Sequence, residues 1–214
     1  MKMKARYIFL LLLFASCKWN GQHPGRAFTD VSGKTLSPAD YSRWFESDES
    51  TQQHLQQAGG KSYEVTFLPA DLLALHEAGP GADENAIREA KTHYEDLVYF
   101  RLRIKDPDAG GEILKENISS PQDYQQRVTY CAFGMQRDIS LLDEQNDTIP
   151  CALFNFERAY DVTPFVNFVC AFDRKEVGQC RFFTFVFNDR LFHNGFLKFS
   201  FTQEDLRNTP KLKP

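Results

Sequence analysis

Apolar residues recur at every second position through much of the second half of the chain. Phe154 and Phe156, then Phe183, Phe185 and Phe187, then Phe199 and Phe201 each share one strand face. That spacing sets one face on a core and the other toward water. Fourteen of the twenty phenylalanines lie between Phe133 and Phe201, so the core is built mainly from this region. Earlier in the chain Tyr63, Val65 and Phe67 alternate with Glu64 and Thr66. Val98, Phe100, Leu102 and Ile104 alternate with Tyr99, Arg101, Arg103 and Lys105. Further strand pattern covers Cys131, Phe133 and Met135, then Ile139 and Leu141, then 149–157, 165–172, 181–187 and 196–201. Short connections predict antiparallel neighbours. On that reading 165–172 pairs with 181–187 around the loop 174–178, and Asn194-Gly195 is a tight turn.

Helical period appears between these strands. Ser37-Pro38-Ala39-Asp40 combines an N-cap serine, a first-turn proline and an acid near the positive end of the helix dipole. Tyr41, Trp44 and Phe45 then present one aromatic face. A short helix is predicted through Leu72 and Leu75, stopped by Gly79-Pro80-Gly81. Asp83 caps a third helix with a stripe of Ala86, Ile87, Ala90 and Tyr94, and Ser120-Pro121-Gln122-Asp123 repeats the capping pattern. The segment 48–57 is polar apart from Leu55. Together these elements predict one α+β domain over 36–205, an antiparallel sheet that folds toward a sandwich with short N-terminal helices packed on it. A tail is expected over 206–214.

The first residues follow a different pattern. Lys2, Lys4 and Arg6 precede the apolar run 7–14, which as a helix spans about 12 Å against a hydrocarbon core of about 30 Å. That is the pattern of an export signal over 1–16. It ends in Phe14-Ala15-Ser16-Cys17, which resembles the lipobox of bacterial lipoproteins, with phenylalanine in place of the usual leucine. The resemblance implies cleavage before Cys17, diacylation of that cysteine, and a tether over 17–35. Removing the three basic residues of the leader shifts the formal charge from −4 to −7. Lysines and arginines are scattered, which excludes a nucleic-acid partner and a polybasic membrane patch. With Cys17 lipidated, Cys131, Cys151, Cys170 and Cys180 remain, an even number that permits bridges in an oxidising compartment. If 165–172 and 181–187 pair, Cys170 and Cys180 approach one another.

Motifs for dedicated chemistry are sparse. The five histidines are far apart and no Cys-x-x-Cys occurs, so neither a metal nor a cofactor is expected. Cys131 or Cys151 with His193 could supply a nucleophile and base only by residue type, and buried cysteines are the better reading. The stretch from Asp147-Thr148-Ile149-Pro150-Cys151 to Phe156-Glu157-Arg158 resembles a family of uncharacterised Bacteroidota lipoproteins in which a Thr-Leu-Pro-Cys turn leads a strand into Phe-Glu-Arg. Asp147-Thr148-Ile149 also resembles the O-glycosylation sequon of that phylum. Glu157 and Arg158 are read as structural charges on opposite faces of a strand. Glu157, in step with Leu153 and Cys151, is expected to approach the interior and pair with Arg103 or Arg181.

The implied protein is a lipoprotein anchored in the cell envelope, most naturally at the outer membrane. It acts as a binding or interaction module with an envelope protein partner. An envelope hydrolase acting on glycan or peptide, or a carrier of a small apolar ligand, are the alternatives. The anchor is directly testable: metabolic labelling with a tagged fatty acid should mark the wild type and not Cys17→Ser. An unlabelled wild-type protein released in soluble form would contradict it.

Overall fold

The computed structural model describes residues 33–47, 53–108, 111–158 and 163–213. The leader, Cys17 and nearly all of the tether lie outside them. Five antiparallel strands form one sheet in the order β2 (Gln53–Ala58), β3 (Lys61–Leu68), β4 (Leu97–Lys105), β8 (Phe165–Asp173), β7 (Leu153–Glu157). Four more form a second sheet in the order β10 (Gly195–Thr202), β9 (Phe182–Asp189), β5 (Ile139–Leu142), β6 (Thr148–Pro150). The two sheets face each other, as the alternation requires: every strand with a clean period of two turns its apolar side into the space between them.

Phe100 sits at the centre of that space. Its ring lies 5.1 Å from Phe201, 5.8 Å from Phe185 and 5.9 Å from Phe183 on the opposite sheet, and 6.0 Å from Phe172 on its own. These tilted and edge-on contacts suit the ring quadrupoles. A buried carboxylate closes one end of the sandwich. Asp189, 2% exposed, accepts hydrogen bonds from the Tyr63 hydroxyl at 2.6 Å, Asn194 Nδ2 at 3.1 Å and the backbone N–H groups of Leu191 and Phe192. A buried charge persists only when it is so satisfied. Burial, and then the bond to Asp189, push the Tyr63 hydroxyl well above the ordinary tyrosine value. The β2–β3 turn packs against this corner at Gly59. With φ +54° and a Cβ site 2.0 Å from Asn194 Oδ1, that position has room only for glycine.

A second, smaller core lies on the outer face of the five-stranded sheet. There α1 (Pro38–Phe45), α2 (Ala70–Ala78) and α3 (Glu84–Thr92) pack Tyr41, Trp44, Leu72, Ile87 and Ala90 against Leu68, Tyr99 and Ala171. The expected caps are present: Asp40 N–H bonds to Ser37 Oγ at 3.3 Å, and Ala86 N–H to Asp83 Oδ1 at 2.9 Å. The helices cover only part of that face.

Several expectations are corrected. Strands β8 and β9 are not partners; they belong to different sheets, because Asp173 caps a helix, α5 (Arg174–Gln179), that carries the chain across. Cys131, Phe133 and Met135 are not a strand. α4 (Pro121–Thr129) continues into a π turn and a 3-10 turn through Asp138, burying Cys131 and Met135 and leaving Phe133 82% exposed. The span 149–157 breaks at Cys151–Ala152, where the chain passes from one sheet to the other. The polar run before Gly59 contains β2, an edge strand whose backbone bonds to β3 need no apolar face. Nor is the end of the chain a loose tail. After α6 (Gln203–Arg207), β11 (Lys211–Leu212) pairs in parallel with β1 (Thr35–Leu36), and Leu212 is buried in the helical core.

Candidate functional site

The uncovered part of the outer sheet face carries a row of polar residues fixed by strand register. Glu64, Arg103, Asn167 and Glu157 are successive cross-strand partners on β3, β4, β8 and β7. One position along, Thr66 and Arg101 are partners. Residues in step across a sheet point to the same side, so their side chains meet. Arg101 Nη2 donates to Glu64 Oε1 at 3.3 Å, and the Thr66 hydroxyl donates to the same oxygen at 3.0 Å. Arg103 Nε donates to Asn167 Oδ1 at 2.9 Å, and Asn167 Nδ2 donates to Glu157 Oε2 at 3.1 Å. The Arg103 guanidinium also lies 4.3 Å from the Phe165 ring.

The two arginines have donor capacity to spare. Arg101 Nε is buried with no acceptor, and among the described residues no acceptor meets the terminal nitrogens of Arg103. An orphaned buried donor costs about 1–3 kcal/mol. Desolvation, and then the like charge of Arg101, lower the Arg103 pKa from the usual arginine value. Both effects favour an anion beside the pair.

Helices α1 and α2 turn this patch into the end of a groove. A cleft of about 350 Å³ is bounded by Ser42 and Phe45 of α1 with its C-cap Glu46, Leu72 and His76 of α2, and Gln53, Glu64, Arg101 and Arg103 of the sheet. A second, of about 540 Å³, continues from the same Ser42 and His76 toward Pro38, Ala39, Leu75, the turn Gly79–Ala82 and Ile87. Ala39 and Ser42 on α1, and Leu72, Leu75 and His76 on α2, recur at three- and four-residue intervals, so each helix lends one face. One end is lined by charged side chains of both signs; the other is apolar.

The remaining candidates fall elsewhere. Glu157 does not enter the interior: β7 turns Phe154 and Phe156 inward, stacked on Phe168 at 5.8 and 5.4 Å, and leaves Leu153, Asn155 and Glu157 outside. Cys151 precedes the strand, so alternation does not extend to it. Glu157 reaches Arg103 only through Asn167, and Arg181 is instead near Glu144. Arg158 points away from Glu157 and donates to the Tyr124 hydroxyl of α4 at 2.9 Å.

All four cysteines of the body are free and buried. Cys170 does not face Cys180 across a hairpin; its thiol partner is Cys151. The hydrogen bond from Cys170 lowers the Cys151 thiol, while complete burial raises Cys170. Burial pushes Cys131 up to about 12, which removes it as a nucleophile at neutral pH. Among the described residues no cluster of His, Cys, Asp or Glu could hold a metal ion, and no helix is long and apolar enough to cross a membrane. In sequence Arg101 and Arg103 belong to the polar side of a strand, with Arg103 also an expected partner of Glu157. Two arginines two residues apart on one face were the available signal.

Comparison with family models, curated proteins and solved structures found no match to this chain. Since Glu157 is exposed and makes a single amide contact, Glu157→Gln should change unfolding free energy by no more than about 1 kcal/mol. Urea denaturation checks this, and a loss of about 3 kcal/mol or more would restore a buried role.

Proposed function

We propose that this protein is a lipid-anchored binding module of the bacterial cell envelope, held at the membrane through Cys17, and that it binds a small anionic ligand in the groove between α1, α2 and the five-stranded sheet. The observation that carries the ligand reading is the pair Arg101 and Arg103, half-buried at a groove end with donors left over. Guanidinium groups in a desolvated pocket form strong charge-assisted bonds with carboxylates and phosphates. A groove of several hundred cubic ångströms, mostly apolar with a few convergent polar groups, has the ordinary character of a small-molecule site.

A hydrolase is a weaker reading of the same region. The Glu64 carboxylate is engaged by Arg101 and Thr66, and the burial that lifts the Cys131 thiol unfits it for attack. The envelope address rests on the leader and lipobox pattern and on the likeness to Bacteroidota lipoproteins. Small molecules extracted from protein purified from its own envelope test the binding role. Wild type should carry an acidic compound that is absent from the Arg101→Gln/Arg103→Gln double variant. An equal load on both proteins, or none on either, would contradict it.

A further inference from the structure

The groove has a second end, and it constrains the ligand further. We infer that the occupant is an amphiphilic monoanion, an aliphatic carboxylate with its head on Arg101 and Arg103 and its chain lying between α1 and α2. This rests on the groove being the binding site, and it adds the chemical class.

Charge decides the head group. Among the described residues, the charged end holds two arginines and two acids, Glu64 and Glu46. Glu64 already bonds to Arg101, and Glu46 is exposed at the helix end. Glu157 is linked to Arg103 through Asn167. The formal charges of this wall therefore cancel, and what it offers is the forked donors of Arg103 that no acceptor meets; the acids beside them make a phosphate dianion a poorer fit than a single carboxylate. Each carboxylate oxygen can accept one donor, so a single head can take both terminal nitrogens of Arg103 as a fork, with the half-buried Arg101 guanidinium beside it.

Shape decides the rest. From Phe45 back to Ala39 the α1 face runs about 9 Å at 1.5 Å per residue. Along it the wall changes from charged to apolar, with Leu75, Pro80 and Ile87 at the far end. The apolar part is the larger, about 540 Å³ against 350 Å³. A small hydrophilic anion would leave that wall in water, whereas an aliphatic chain would cover it and remove its apolar surface from solvent. Ser42 and His76, shared by both ends, mark the waist where head and chain join.

The test is isothermal titration of the full chain carrying Cys17→Ser, which avoids detergent, with decanoate, acetate, inorganic phosphate and neutral decanol. Decanoate should bind at one site, about tenfold or more tighter than acetate, phosphate or decanol. Arg103→Gln should weaken decanoate by about tenfold or more, the loss expected for a charged hydrogen bond. Ala39→Trp, which fills the apolar end, should weaken decanoate and leave acetate unchanged. Circular dichroism confirms that both variants are folded. Acetate or phosphate binding as tightly as decanoate, and lost in Arg103→Gln, would overturn the amphiphile while leaving the anion site standing. Decanol binding as well as decanoate would also overturn it, as would binding insensitive to both substitutions. No binding by any of the four would overturn the amphiphile and count against the groove itself.

Discussion

Everything in this molecule depends on two sheets sharing one layer of aromatic rings. Phe100 from one sheet is enclosed by Phe183, Phe185 and Phe201 from the other, and none of these residues is exposed to solvent. Removing such a ring from a packed core typically costs about 3–5 kcal/mol, a large fraction of the stability of an ordinary domain. Because the inner layer supplies the core, the outer face of the five-stranded sheet is free to be only partly covered. Three short helices take one part of it. The part left open holds Arg101 and Arg103, set one residue out of phase with Phe100 and Leu102 on the same strand.

That phase relation links fold to function. The alternation that buries Phe100 and Leu102 necessarily turns Arg101 and Arg103 outward, side by side. Register with β3 and β8 then fixes Glu64 and Asn167 beside them. The helices lower the local polarity and leave guanidinium donors unmatched on an otherwise ordinary polar strand face. Rigid strands hold the head of the site and helix faces hold its apolar side, an arrangement well suited to preorganised binding.

Much of this architecture was legible in the sequence, and the exceptions have physical causes. Strands β3, β4, β8, β9 and β10 and helices α1–α3 announce themselves through period and caps. Pairing did not, because β8 and β9 are close in sequence yet separated by a helix that the residues 174–178 disguise as a loop. β2 was hidden because an edge strand held by backbone bonds can be polar on both faces. Cys131 to Met135 mimicked alternation inside a π turn, where the ordinary 3.6 spacing is lost. The groove was the least legible feature. Its residues come from three helices, three strands and the turn after α2, and only the tertiary fold shows which arginine donors are left over.

The central claim is that Arg101 and Arg103 receive the carboxylate head of a ligand. It is most directly tested by nuclear magnetic resonance of the guanidinium Nε–Hε groups during titration with decanoate. The account predicts that the Arg101 and Arg103 signals move together to one saturable end point, while those of Arg43 and Arg88 on the outer helix surfaces stay in place. Signals of all four moving alike, or those of Arg101 and Arg103 remaining still at saturation, would contradict it.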